Sequence, residues 1–336
     1  MTKRDESAPT DLVHVRSHSG HRRSYQDLFC QLLGLAPSTG SAWRAFPALV
    51  RSRKLLFATI DGEDLAFAAI SLVRSLLGRK TTGIFLRPQS CFGSGWKSRV
   101  KHALYAALRR LPRTSVLTIV PFEIAPEYEK VATGWIYDPQ LWDLHATGRL
   151  GRIEQTPLSK HLIQRANGRR IIAFLGLVRN SKGFGILADM LASSPNWSEE
   201  ILLIVAGRVT EECDEDAKRL EADGAQIVNR FISDEELESL YLISDFIWCC
   251  YHPDYDQASG IFGRAVQLER TSLVRGGSYL ARMTQAPFRL GPALTIDPDN
   301  ALLRELCTPC DPAGENAGAH QFRLSSETLL SCVEAA

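Results

Sequence analysis

The chain has 336 residues, longer than one hydrophobic core usually runs, and about two domains are expected at roughly 150 residues each. Hydrophobic residues make up 45% and charged residues 23%, which excludes a disordered, collagen-like or coiled-coil chain. The net charge of +1 conceals a split: residues 1–113 carry 19 Lys and Arg against 7 Asp and Glu, and the remainder 20 against 31. Such a distribution suits a first part that meets phosphates or an anionic membrane face.

Residues 1–23 are polar and lack the apolar centre of a signal peptide, and no run approaches the roughly 18 apolar residues that span a bilayer. A cytoplasmic protein is expected, with a peripheral place on the inner face of the plasma membrane as the alternative. The eight cysteines are scattered, and the adjacent Cys249 and Cys250 sit in an apolar run where a bridge would distort a strand. All are taken as reduced thiols. Cys307 and Cys310 form a lone C-x-x-C without a second pair, so no zinc site is expected there.

In chain order, a short apolar segment at 12–15 precedes a basic loop and a helix over 25–33. Strands are predicted at 55–60, 83–86 and 115–120, with helices over 65–77 and 97–111 between them. Periodicity weakens over 122–170, and the inter-domain linker is placed at 145–168, giving domains 1–155 and 156–336. The second half alternates clearly: strand 170–175, helix 185–191, strand 201–206, helix 214–223, strand 225–229, helix 234–243, strand 245–250, helix 260–269 and strand 272–274. Ser233 and Glu236 have capping-box spacing at the start of the 234–243 helix. Alternating strands and helices give an α/β class with doubly wound parallel sheets.

Two loops carry the candidate chemistry. Gly176-Leu-Val-Arg179-Asn-Ser-Lys182-Gly183 follows the 170–175 strand and presents a guanidinium and an ammonium three residues apart. In an open α/β sheet, ligands bind beyond the carboxyl ends of strands, and Arg179 and Lys182 suit a diphosphate there. Solvated loop cations are the plain alternative. About 75 residues on, Tyr251-His-Pro-Asp-Tyr-Asp256-Gln257-Ala-Ser259-Gly260 runs from a strand into a helix whose first amides make a second anion seat. Ser259 as an ordinary N-cap is the alternative.

Together these features resemble the donor domain of GT-B glycosyltransferases of family 4 over residues 170–300. The family's G-x-x-R-x-x-K-G turn is matched by Gly176, Arg179, Lys182 and Gly183, and its S-G-x-x-x-x-A helix start by Ser259, Gly260 and Ala265. The stretch from Arg289 to Asp297 looks like the family's tail. The resemblance implies two Rossmann-like domains facing a cleft, and a retaining transfer from a nucleotide-diphosphate sugar to a glycan or lipid-linked acceptor. It further implies no cofactor and no metal, with Arg179 and Lys182 stabilising the leaving diphosphate. Backbone at Phe231 and Ile232 would contact the base, and Gly176, Asp256, Gln257, Ser259 and Gly260 would line the donor. On the acceptor side it points to a Gly-His loop, Gly20 and His21, with His21 as a proton acceptor.

The family's paired glutamates fall here on Gln257 and Ala265, so the ribose contact is missing and a non-catalytic scaffold of the same fold is the alternative function. Asp254-Tyr-Asp256 spells D-x-D, a metal motif in the other glycosyltransferase fold, and no metal is assigned to it. Over 96–111, an apolar stripe of Val100, Ala103, Leu104, Ala107, Leu108 and Leu111 with flanking Lys and Arg fits an anionic membrane surface or an ordinary sheet-packing helix. Nucleic acid is not expected, because no aromatic-basic motif for stacking bases is present.

Overall fold

The computed structural model describes residues 10–18, 22–194, 196–297, 306 and 317–334. The chain divides into two compact units, Met1–Pro139 with Phe322–Ala336, and Gln140–Gln321. Each is built on a parallel six-stranded sheet wrapped by helices.

In the first unit, β1 (Leu12–Val15), β2 (Ala36–Thr39), β3 (Leu55–Phe57), β4 (Thr81–Phe85), β5 (Thr114–Thr118) and β6 (Gly134–Trp135) lie in the order β2-β1-β3-β4-β5-β6. Helices α1 (Arg22–Leu33), α2 (Phe46–Arg51), α3 (Asp64–Leu76) and α4 (Trp96–Leu108) connect the first five strands. Phe57 meets Phe67 edge-on at 5.2 Å, and Phe85 stacks on Tyr105 at 4.3 Å, so the apolar faces of α3 and α4 are fixed on the sheet.

Arg74 of α3 is fully buried. Its guanidinium donates to the carbonyls of Leu49, Ser52 and Lys80 and to the Thr81 hydroxyl, tying the end of α2 to the start of β4. Burial, and then the neighbouring Arg79, bring its pKa down to about 10. A guanidinium saturated by carbonyl dipoles needs no carboxylate to remain inside.

In the second unit, β7 (Arg170–Leu175), β8 (Ile201–Ala206), β9 (Gln226–Val228), β10 (Phe246–Cys249), β11 (Thr271–Arg275) and β12 (Ala293–Ile296) lie in the order β12-β11-β10-β7-β8-β9. Its helices are α5 (Asp143–Ala146), α6 (Pro157–Ala166), α7 (Phe184–Ala192), α8 (Trp197–Glu200), α9 (Asp214–Ala222), α10 (Asp234–Ile243), α11 (Gly260–Gln267) and α12 (Tyr279–Thr284). A last helix spans Ala317–Val333. Every residue of β8 is buried, as expected for a strand covered on both faces. The capping box at Ser233 and Glu236 is present, with the Glu236 amide donating to Ser233 Oγ at 3.2 Å.

Strand order decides where a ligand can enter the second unit. β7 and β10 are hydrogen-bonded neighbours although β8 and β9 intervene in sequence, so the winding reverses between them. Loops leaving their carboxyl ends therefore diverge and leave a crevice.

One stretch differs from expectation. Residues 157–166, assigned to a linker, form α6, opened by Pro157 and capped by the Thr156 hydroxyl, which accepts the Ser159 amide at 3.4 Å.

Candidate functional site

The segment after β7 continues the ladder for three residues beyond the strand. Gly176 donates its amide to Ala206 and Val178 donates to Arg208, which carries Arg179 out past the sheet edge in extended conformation. The chain then closes a single 3₁₀ turn, Asn180–Lys182, and enters α7 through Gly183 at φ +76°. A β-carbon on Gly183 would collide with the Cys250 carbonyl oxygen, so only glycine lets this turn lie directly on the end of β10. A further bond fastens the two loops, the His252 amide donating to the Ser181 carbonyl at 3.1 Å.

The loops at 176–183 and 250–260 are thus brought together at the β7/β10 switch point. The Arg179 guanidinium lies over the Tyr255 ring at 4.7 Å, a cation–π seat that orients the fork. Its Nε is buried and, among the described residues, has no hydrogen-bond partner. Lys182 curls back over the backbone of Gly176, where a β-carbon would stand 3.3 Å from its Nζ. Gly176 itself has φ +84° and sits 3.6 Å, by the same measure, from Ile261 of α11. Lys182 and the Ile261 side chain of α11 thus both lie against Gly176.

No carboxylate pairs with Arg179 or Lys182 among the described residues. Burial, and then repulsion from Arg179, bring the Lys182 pKa down to about 8. Two half-buried cations with a donor unused are expensive unless an anion completes them.

Ser259 caps α11, its Oγ accepting the Phe262 amide at 3.3 Å and lying 2.5 Å from the Tyr251 hydroxyl. The capping role thus holds, and the amides of Gly260 and Ile261 are first-turn donors of α11 without an intrahelical acceptor. A β-carbon on Gly260 would run into the Gln140 side chain, and Gly263 is pressed on the Gln140 carbonyl. These two glycines are set by packing as well as by the helix start. Ala265 is fully buried in α11.

The other expected donor residues have varied surroundings. Asp256 accepts the Tyr279 amide at 2.8 Å and stands 3.8 Å from Arg275, so its carboxylate anchors the loop to α12. Asp254 is fully turned to solvent beside His252, and the two aspartates of D-x-D face different partners. Gln257 is partly buried two residues before Ser259. Phe231, 78% exposed, and Ile232 follow β9 at the sheet's far side, with the Phe231 carbonyl accepting from Arg230. Gly20 and His21 lie outside the described residues, as do Cys307 and Cys310, whereas Cys30, Cys91, Cys213, Cys249, Cys250 and Cys332 are in no disulfide.

Sequence reasoning gave Tyr251, Tyr255 and Gly207 no role of their own in the site. Gly207, at φ +146°, packs on the Gly176 carbonyl where any β-carbon would collide. Aromatic residues in an irregular loop have no periodicity to betray their direction. The glycine closing a strand at 207 is the one local signal that was legible.

No family model matches the sequence, and no curated protein matches it. Among solved structures, the chain is similar to Anabaena HepE in complex with UDP and glucose, with a TM-score of 0.61 and 12% identity over 96% of this chain and 98% of that one. It is similar also to sucrose-phosphate synthase from Thermosynechococcus elongatus, with a TM-score of 0.60 and 11% identity over 96% and 98%. A UDP-forming trehalose-phosphate synthase from Burkholderia vietnamiensis gives 0.52 and 12% over 94% and 78%. The architecture, two parallel six-stranded sheets with surrounding helices, is the GT-B fold.

Proposed function

We propose that the chain is a glycosyltransferase of the family 4 type, moving a sugar from a nucleotide-diphosphate sugar to a glycan or lipid-linked acceptor in polysaccharide or glycolipid assembly. The observation that carries this reading is the pair Arg179 and Lys182, without a carboxylate partner among the described residues, held at the β7/β10 switch point where the 176–183 and 250–260 loops meet. HepE has been captured with UDP and with UDP-glucose, which makes uridine nucleotides the first donors to test.

In the transfer, the bond from the anomeric carbon to the bridging phosphate oxygen breaks as negative charge grows on that oxygen. Arg179, Lys182 and the amides of Gly260 and Ile261 meet that charge from fixed positions, which is the largest contribution a protein makes to such a step. The acceptor oxygen bonds to the anomeric carbon on the face the phosphate leaves, and its proton passes to a phosphate oxygen, giving retention. Metal-free transfer follows from letting these cations do the neutralising. Backbone around Phe231 and Ile232 takes the base, Gln257 a sugar hydroxyl, and Gly20 with His21 the acceptor.

Calorimetric titration with UDP tests the reading. Arg179→Ala combined with Lys182→Met is expected to weaken UDP binding at least about a hundredfold, the loss of two charge-assisted contacts, with the circular dichroism spectrum unchanged. Equal affinity in the variant removes the assignment. Ala265 and Gln257 at the places of the paired glutamates favour the scaffold as the second reading. UDP binding without hydrolysis of any nucleotide sugar in a donor screen would decide for it.

A further inference from the structure

Residues 65–113 contain ten Lys and Arg and no Asp or Glu, and they supply α3 and α4, which lie side by side on the first unit's sheet. Lys101 of α4 reaches Asp64 at 3.0 Å, fixing the two helices to each other. The structure divides the apolar stripe of α4. Tyr105 and Leu108 are buried and Leu104 and Leu111 pack on the core, so these residues cover the sheet. Trp96, Val100, Ala103 and Ala107 recur at helical spacing on the opposite face and are exposed, Trp96 at 66%.

The neighbouring helix does the same. Leu65, Leu72 and Leu76 repeat along the outer face of α3, Leu77 follows, and all are exposed, Leu76 at 81%. Five of the twelve exposed large apolar residues among those described belong to this pair of helices, and Leu77 directly follows α3. Scattered exposed leucines need no explanation, whereas a run on adjacent helices does.

Cations surround this face. Lys97, Arg99, Arg109, Arg110 and Arg113 are all exposed, and none forms an ion pair among the described residues. Lys97 lies 5.9 Å from the Trp96 ring. Lys97 and Arg99 also sit in the first turn of α4, where no acidic residue is present and the helix dipole disfavours positive charge. An anion bound there relieves both the dipole and the mutual repulsion.

We propose that the outer face of α3 and α4 docks on an anionic lipid bilayer, with Leu65, Leu72, Leu76, Trp96 and Val100 entering the headgroup layer and Lys97 and Arg99 on lipid phosphates. The chemistry favours a bilayer over a protein partner because the face carries aromatic and aliphatic tips and, apart from Asp64, which is paired with Lys101, its charged fringe is cationic. The docking face belongs to the first unit and the donor site to the second, so either assignment can fail alone.

Sedimentation of the full chain with vesicles of phosphatidylcholine alone and with 30% phosphatidylglycerol, about a third anionic lipid, tests it. The chain is expected to pellet with the anionic vesicles at low salt and to be released by 0.5 M NaCl, an order-of-magnitude choice set by screening. Replacing Lys97 and Arg99 by Gln should weaken binding about thirtyfold, near fivefold per cation. Leu72→Gln with Leu76→Gln tests the apolar half and should weaken it comparably, with UDP affinity unchanged in both variants. Absence of binding to anionic vesicles overturns the proposal, as does binding unaffected by either variant. A dimer in light scattering that the Leu72→Gln, Leu76→Gln variant dissolves would likewise overturn it, assigning the face to a second copy.

Discussion

Lys182 shows how one side chain reports on the site. Burial and Arg179 hold its pKa near 8. A lysine whose folded pKa is lowered is charged below that value and neutral above it, so the attraction for a diphosphate is present at pH 7 and lost as pH rises through about 8. A nucleoside diphosphate is fully ionised throughout this window, since the second phosphate pKa is about 6. UDP affinity is therefore expected to fall about tenfold between pH 7 and pH 9, with a proton taken up on binding near pH 8. Calorimetry in buffers of different ionisation enthalpy reads the proton directly. Lys182→Met should give a flat profile; a profile as steep as the parent's assigns the titration to another group. The pair of cations was legible in the sequence from its three-residue spacing after an apolar strand. Its partner Tyr255 was not, because a ring beneath a guanidinium depends on the path of a loop with no repeating pattern.

At the scale of elements, the close approach of two turns rests on a single missing methyl group. Gly183 combines φ +76° with a position against the Cys250 carbonyl, whereas Gly277, at φ +70° in the same unit, has open space around it. Gly277→Ala should cost about 1 kcal/mol, the strain of a left-handed residue alone. Gly183→Ala carries that strain and displaces backbone, and an expected cost of about 2–4 kcal/mol is in the upper range for point changes. Thermal unfolding of the two variants separates them; equal losses would mean that the turn and β10 yield without resistance. The same scale explains what the sequence concealed. β7, β8 and β10 are apolar runs covered on both faces and stood out. β2, with Pro37 at the sheet edge, and β6, two residues long, are half-buried and carry little apolar signal. α6 was passed over although Leu158, Leu162 and Ala166 recur at helical spacing after its Thr156-Pro157 start, because that short apolar stripe is set among polar residues.

For the whole molecule, the division of labour between units gives a result that neither residue nor element supplies. The basic first unit carries the apolar face of α3 and α4, and Arg179 and Lys182 belong to the otherwise acidic second unit. Charge asymmetry along the sequence marked the first part as the basic one, while the sheet order that puts β7 beside β10 needed three dimensions. A ligand that binds only the folded second unit stabilises it by about 2.7 kcal/mol at a hundred times its dissociation constant. Hydrogen exchange with saturating UDP should then slow amides at 176–183 and 250–262, while amides of α3 and α4 exchange as in the free chain. Anionic vesicles should produce the converse pattern, slowing α3 and α4 and sparing the switch-point loops. If UDP instead protected α3 and α4 while leaving 176–183 untouched, the nucleotide would be bound elsewhere, and the cations at 179 and 182 would be loop charges facing water.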